Sequence, residues 1–301
     1  MNIIQYLKEP WKAVVAFDSH ILSIVPDELY LKCYCRAVSG QKLNLKNPTT
    51  YCEKLNWLKI HDRNPIYGRM VDKLEVRKYI TERFGDKYLV PLLAIYDNVE
   101  EIDFSKLPDR FVLKCTHDSG SAIICKSKKD LSVEQTQDKL RKALHRNFGR
   151  QSRETPYSFI KQRKIIAEEY IYGDEDIIDK PDYKFFCFNG QVKMFQANSG
   201  RTSLSGTKTN FYDRDKKKMD IVEATGYSTS DSIVLPDTID KMIELSELFS
   251  EGIPHVRVDF MTNGQKIYFS EFTFYHCGGF YPFSPDIWNT IIGNWLILPT
   301  Q

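Results

Sequence analysis

Residues 255–279 read HVRVDFMTNGQKIYFSEFTFYHCGG. Two runs rich in β-branched and aromatic residues flank Asn263-Gly264, a pattern that predicts a hairpin. Arg257, Asp259 and Glu271 lie inside runs that otherwise read as half buried, where an unpaired carboxylate is costly. Register decides whether they act together. A two-residue Asn263-Gly264 turn sends Asp259 and Glu271 to opposite faces. A three-residue loop, Thr262-Asn263-Gly264, puts Gly264 in the left-handed position of a bulge. Residue 259 then faces 267, and 271 lies on the same side two steps along, with Arg257 and Thr273. Such a face would cradle Mg²⁺ and the phosphates it bridges, because Mg²⁺ is held by one or two carboxylates plus phosphate oxygens and water. The same residues equally suit an ordinary hairpin with a surface Arg257–Asp259 ion pair.

A second stretch, residues 108–130, reads PDRFVLKCTHDSGSAIICKSKKD. It predicts a strand with Lys114 in its middle, a small-residue loop and a return strand. Loop N–H groups and an ammonium suit phosphate oxygens. A plain hairpin turn fits as well, and the chain has no Walker A motif. KIIAEEYIYGDE (164–175) predicts a strand in which Glu168 needs a donor, either an adenine amino group or a lysine. Glu175 follows seven residues later. DYKFFCFNGQVKMFQ (182–196) predicts another Asn-Gly hairpin, with Lys184 in its first strand. The Gly/Ser/Thr loop after it holds Arg201 and Lys208, and such loops commonly cover sites.

These residues need elements to position them. Residues 1–65 read as short helices and connectors, with one helix closing at Gly40 and a capping box from Thr50 to Glu53. Residues 69–84 have a helical period, with Asp72 as a candidate N-cap. That puts Lys73 at the helix start, where a cation opposes the macrodipole. Residues 131–148 predict an amphipathic helix capped by Ser132 and ended by Gly149. Residues 233–250 predict another helix. The tail FYPFSPDIWNTIIGNWLIL is expected to pack back on the core.

The totals set limits. A chain of 301 residues is long enough for two lobes with separate cores. A 42% hydrophobic and 27% charged composition is that of a folded soluble protein. Net charge +2 gives no reason to expect a nucleic acid or an anionic membrane as partner. The seven cysteines form no C-x-x-C pair and read as reduced, which predicts a cytoplasmic protein without a zinc site. Lys8, Glu9 and Lys12 interrupt the first apolar run, so it does not read as a signal peptide. No run reaches the ~18 apolar residues of a membrane span.

In this order, VDKLEVRKYI, LPDRFVLKCTHDSGSAIIC, IIAEEYIYGDE, DYKFFCFNGQVKMF and HVRVDFMTNGQKIYFSEFTFYHCGGFYPF resemble the ATP-grasp superfamily. With EKLNWLKIHD they look most like its TupA-like branch, associated with bacterial surface polysaccharide biosynthesis. The resemblance covers roughly residues 45–295. It implies an α+β ATP-grasp fold in which two α+β lobes clasp nucleotide. Residues 1–65 would be a helical N-terminal extension. Residues 66–166 would form the small lobe with the phosphate loop, and 167–301 the large lobe with the metal site.

The resemblance further implies ATP and Mg²⁺ as cofactors. Lys114 would reach the phosphates beneath the loop of His117, Ser119, Gly120 and Ser121. Glu168 and the backbone at Tyr170 and Ile171 would read adenine, and Glu175 the ribose. Lys73 and Lys184 would contact nucleotide. Asp259, Glu271 and Thr273 would hold Mg²⁺, and Arg257, with Lys184 and Arg201, would act on the transferred phosphoryl group. Thr273 stands where the superfamily usually has Asn, which puts the second of two metals in doubt.

The implied activity is an ATP-dependent carboxylate–amine ligase working through an acyl phosphate. Its substrates would be a small-molecule or glycan carboxylate and an amine, in this branch a uronic acid and an amino acid. A sugar kinase with the same nucleotide site and a non-catalytic nucleotide- or glycan-binding protein are the alternatives. A glycosyltransferase is disfavoured because the nearest D-x-D, Asp213-Arg214-Asp215, reads as a hairpin turn.

Overall fold

The computed structural model describes residues 10–20, 24–150, 152–172, 181–200, 206–223, 229–231 and 233–300. Glu175 and Arg201 lie outside the described residues. The chain begins with α1 (Pro10–His20), α2 (Asp27–Ser39) and α3 (Tyr51–His61). Gly40 closes α2 in a left-handed conformation at φ 72°. Thr50 and Glu53 form the expected capping box at the start of α3. Glu53 also accepts the amides of Asn44 and Thr49, so one carboxylate braces the whole approach to the helix.

The single helix expected over 69–84 is instead two, α4 (Ile66–Val71) and α5 (Glu75–Phe84). Asp72 makes the break. Its Oδ1 accepts the amides of Leu74 and Glu75 at 2.8 and 3.0 Å, and the Lys73 amide turns away to the Thr116 carbonyl. Asp72 therefore does cap a helix start, as its type predicts.

Strands β1 (Leu92–Tyr96), β2 (Phe111–Cys115), β3 (Ile123–Cys125) and β4 (Ile165–Glu169) form an antiparallel sheet in the order β1-β4-β2-β3. Helix α6 (Val133–His145) covers one face of it, burying Leu140 and Ala143 against Phe111, Leu113 and Cys115. Ser132 caps α6 as expected, but the helix stops at His145, before Gly149.

The second sheet has five strands in the order β10-β9-β5-β6-β7. They are β5 (Asp182–Phe188), β6 (Gln191–Ser199), β7 (Lys208–Asp213), β9 (His255–Thr262) and β10 (Ile267–Thr273). Asn189 and Gly190 both have positive φ, at 50° and 77°, as a two-residue Asn-Gly hairpin requires. One face carries Phe185, Phe195, Val256, Val258, Phe260, Phe269 and Phe272. It buries them in one core with Phe249 and Met242 of α7 (Ile239–Phe249).

The tail packs back as expected. Helix α8 (Ile287–Trp295) lies against α3, and Gly293 comes so close that a Cβ there would meet the Thr49 carbonyl at 2.2 Å. A short ladder of β8 (Val222–Glu223) and β11 (Phe283–Ser284) pairs Glu223 with Phe283. Among the described residues, no helix is long and apolar enough to cross a membrane.

Candidate active site

The faces of the two sheets that α6 and α7 leave uncovered enclose a cavity of about 310 Å³. Lys114 and Val112 of β2, Glu168 of β4, Lys184 of β5, Asp259 of β9 and Glu271 of β10 line it. The loop residues Ser119, Gly120 and Ser121 and the connector residues Tyr170 and Ile171 complete the wall, with Lys73 at the α4–α5 break. Eleven of the residues singled out in the sequence thus meet at one place.

The β9–β10 hairpin differs from the expected one in detail. Thr262 pairs with Ile267, which leaves a four-residue loop rather than three, with Gly264 at φ 89°. Thr262 Oγ1 accepts the Gly264 amide and donates to the Lys266 carbonyl. Carried on unbroken, that register would set Glu271 on the core face, opposite Val258. A bulge between Phe269 and Glu271 adds one residue, Ser270, and restores the pairing Glu271↔Asp259. Phe269 and Phe272 stay in the core while Ser270 and Glu271 both face the cavity. Asp259 thus faces Glu271 directly and not residue 267, and the two carboxylates still share one side.

Asp259 is held by two cations. Arg257, two residues earlier on the same face, forms a bidentate pair with it through Nε and Nη2, both at 2.7 Å. Lys184 Nζ lies 2.7 Å from Oδ2. Burial by itself raises the Asp259 pKa, but Arg257 and Lys184 outweigh it and bring the value to about 2. The same carboxylate, with Glu271, more than offsets the desolvation of Arg257 and keeps that guanidinium charged. The Arg257–Asp259 pair is therefore buried, and not the surface pair of the simple hairpin reading.

Arg257 and Thr273 lie just behind the cavity wall. Arg257 Nη2 donates to Thr273 Oγ1 at 3.0 Å and approaches Glu271 Oε1 at 3.8 Å. Its Nη1 donates to Nδ1 of His276 at 2.7 Å. An arginine cannot accept, so this contact favours the neutral ring with its proton on Nε2. Burial also favours the neutral ring, but Cys277 and Glu223 outweigh it and raise the His276 pKa to about 9. Nε2 lies 2.6 Å from Glu223 Oε1, an ion-pair distance. Glu223, His276 and Cys277 bring three potential metal-ligand atoms within 4.8 Å of one another. The tautomer closes Nε2 to a metal, so the cluster reads as an extension of the ion-pair chain. His276 and Glu223 were missed in the sequence. They are 53 positions apart (276 − 223), and only the β8–β11 ladder brings them together.

On the opposite wall, Glu168 meets the lysine option left open by its sequence. Its Oε2 lies 2.6 Å from Lys114 Nζ and its Oε1 3.0 Å from Arg77. Lys114 and Glu168 are diagonal partners across β2 and β4, which explains why two charged residues tolerate a mostly apolar sheet. The loop above Lys114 is braced by its own side chains. Ser121 Oγ donates to Asp118 Oδ1 at 2.6 Å and accepts the Cys115 amide. Gly120, at φ 86°, has open space where a Cβ would stand.

Lys73 Nζ donates to the Asp118 carbonyl, which ties the α4–α5 break to this loop. Burial lowers its pKa, while Glu271 and Asp118 pull it back up. His117 is placed elsewhere. It does not line the cavity, and its Nε2 meets the Arg146 carbonyl at 3.1 Å, at the end of α6. The loop turns its ring to the helix side of the sheet, away from the cleft.

The cavity wall carries three lysines and five carboxylates, Glu168, Glu169, Asp182, Asp259 and Glu271. That excess of negative charge repels a bare polyphosphate and favours one delivered with a divalent cation. The donor set fits Mg²⁺: two carboxylates directly opposed across adjacent strands, with space beside them for phosphate oxygens.

Two α+β layers closing on a cleft lined with lysines and paired carboxylates define an ATP-grasp protein. A family model described as TupA-like ATPgrasp matches residues 53–297, and the chain belongs to that family. No curated protein matches it in sequence. Solved structures similar to it include the D-alanine–D-alanine ligase of Bacillus anthracis complexed with ATP. That match has 17% identity and a TM-score of 0.40, and covers 68% of this chain and 55% of that one. The D-alanine–D-alanine ligase of Helicobacter pylori matches at 11% identity and a TM-score of 0.39, over 76% and 61%. The ATP-grasp ligase PsnB, complexed with a precursor variant, Mg and ADP, matches at 10% and 0.39, over 74% and 57%. The chain thus spans somewhat over half the length of these structures.

Proposed function

We propose that the cleft binds Mg·ATP and that the protein joins a carboxylate to an amine. The observation that carries this reading is the Asp259–Glu271 pair, set directly across β9 and β10 in the same cavity as Lys73, Lys114 and Lys184. Asp259 and Glu271 would hold Mg²⁺, with the Thr273 hydroxyl beside them. When bound, the ion would offset the negative charge of the phosphates. Lys114 and Lys184 neutralise the nucleotide phosphates, and Ser119, Gly120 and Ser121 cover them. Tyr170 and Ile171, with Glu168 behind them, form the adenine end, and Glu175 the ribose contact. Arg257 supplies charge to the transferred phosphoryl group, with Arg201 as a second cation.

In the proposed reaction a carboxylate oxygen attacks the γ-phosphorus and ADP leaves, which forms an acyl phosphate. An amine then attacks the acyl carbon, phosphate leaves and the amine gives up a proton. The chain's contribution is positioning and charge, with no protein nucleophile. The branch context supports a uronic acid of a surface polysaccharide or its precursor as the carboxylate, and an amino acid as the amine.

A screen of ADP release with Mg·ATP, crossing uronic acids with amino acids, tests this. ADP release that requires both partners, with an amide of the expected mass, supports the ligase. A stable phospho-sugar formed without any amine replaces it with a kinase, and nucleotide binding without turnover replaces it with a binding protein.

A further inference from the structure

The turn after β10 has an unusual backbone. Cys277, Gly278 and Gly279 are all left-handed, at φ 48°, 63° and 73°. For Cys277, which has a Cβ, this is sterically costly, and such a conformation persists only where its surroundings hold it. Two side chains of α3 do so. Asn56 Nδ2 donates to the Gly279 carbonyl at 2.6 Å and to Cys52 O at 2.9 Å. Lys59 Nζ donates to Gly278 O at 2.6 Å, Ser152 O at 2.7 Å and Asn56 Oδ1 at 3.0 Å.

The Lys59 ammonium also lies 4.0 Å from the centre of the Phe280 ring and 5.4 Å from that of Tyr275. Only 1% of Lys59 is exposed, and burial pushes its pKa down to about 7. A methionine would fill the same volume without that cost, so helix packing alone does not account for the lysine. The ammonium offsets the carboxylate of Glu154, and it adds three directed hydrogen bonds, one of them to the strained turn. At the head of that turn is His276, whose Nδ1 accepts a hydrogen bond from Arg257 Nη1.

We propose that Asn56 and Lys59 are positioning residues of the cleft: by fixing the 276–280 turn they set His276, and His276 sets the Arg257 guanidinium at the end where phosphoryl transfer occurs. The proposal rests on the reading of the cleft as a Mg·ATP site. Neither residue touches nucleotide, and both act through Arg257. It also gives EKLNWLKIHD a role that its sequence did not disclose.

Calorimetric titration of the full chain with Mg·AMP-PNP and Mg·ADP is the test, because the role proposed for Arg257 is toward the terminal phosphoryl group, which ADP lacks, whereas its hold on Asp259 bears on both nucleotides alike. Arg257→Lys is expected to cut the AMP-PNP to ADP affinity ratio about tenfold, the scale of one lost charge-assisted contact. Lys59→Met and Asn56→Asp are expected to lower the ratio similarly, with ADP affinity within about twofold of wild type. The Lys59→Met/Arg257→Lys double variant should be no worse than Arg257→Lys alone, as for residues acting in series. Asn56→Asp keeps the side-chain shape while removing the donor to Gly279, and it decides the matter if Lys59→Met does not fold. A wild-type ratio in the folded clamp variants, with Arg257→Lys impaired, overturns the clamp and leaves the cleft reading standing. A wild-type ratio in Arg257→Lys overturns the clamp and the role of Arg257, and failure of wild type to bind either nucleotide overturns the cleft reading.

Discussion

Asp259 concentrates the electrostatics of the site on one carboxylate. Its pKa falls from the ordinary 3.8 to about 2 because Arg257 and Lys184 outweigh the desolvation that raises it. The native state therefore releases this proton more readily than the unfolded chain. The resulting stabilisation is present above pH ~4 and is lost as pH falls through ~2, and it amounts to about 2 kcal/mol. Urea unfolding between pH 5 and 2.5 should show wild type losing more stability than Asp259→Asn; parallel curves would contradict the pairing. Glu271→Gln keeps the shape of its side chain and removes one of the two charges proposed to hold Mg²⁺. It should lower Mg²⁺-dependent ADP formation at least about a hundredfold, with the far-ultraviolet circular dichroism unchanged. The residue types at these two positions announced their chemistry, since acidic groups in apolar runs demand a cation. The Lys114–Glu168 pair was half legible: the need for a donor could be read, but not which donor fills it.

The elements were easier to recognise than their junctions. Each Asn-Gly hairpin and the Thr50–Glu53 cap follow local rules that short stretches carry. The bulge at Ser270 follows none, because it is set by the demand that Phe269 and Phe272 both reach the core while Glu271 reaches the cleft. The break between α4 and α5 was likewise hidden, since Asp72 and the Thr116 carbonyl act together from different segments. His117 was misplaced for a related reason: the direction of a loop side chain depends on α6, packed behind the loop. The contact between α8 and α3 gives a prediction at this scale. A Cβ at Gly293 would come within 2.2 Å of the Thr49 carbonyl and 2.9 Å of the Thr50 carbonyl carbon, and backbone cannot rotate aside as a side chain can. Gly293→Ala should therefore destabilise the fold by about 2–3 kcal/mol in denaturant titration. A loss below about 0.5 kcal/mol would mean that α8 docks more loosely.

At the scale of the whole molecule, the site exists only between the sheets. Lys114 and Glu168 come from one sheet, Lys184, Asp259 and Glu271 from the other, and Asn263 Nδ2 reaches back to the Ile171 carbonyl at 3.3 Å to tie them. A ligand that touches both walls must favour the closed arrangement. Mg·ATP at about a hundred times its Kd should add about 2.7 kcal/mol, or roughly 5 °C of Tm for a chain of this length. Asp259→Asn should lose most of that shift. What no single stretch of sequence carried was this long-range part: Glu223 with His276, and α3 with the turn at 276–280. The most direct measurement is a crystal structure with Mn²⁺ and AMP-PNP, read by the anomalous signal of the metal. The account predicts Mn²⁺ at about 2.1–2.2 Å from carboxylate oxygens of both Asp259 and Glu271, with the triphosphate beneath residues 119–121. Metal bound away from those two carboxylates, or nucleotide outside the cleft between the sheets, would contradict it.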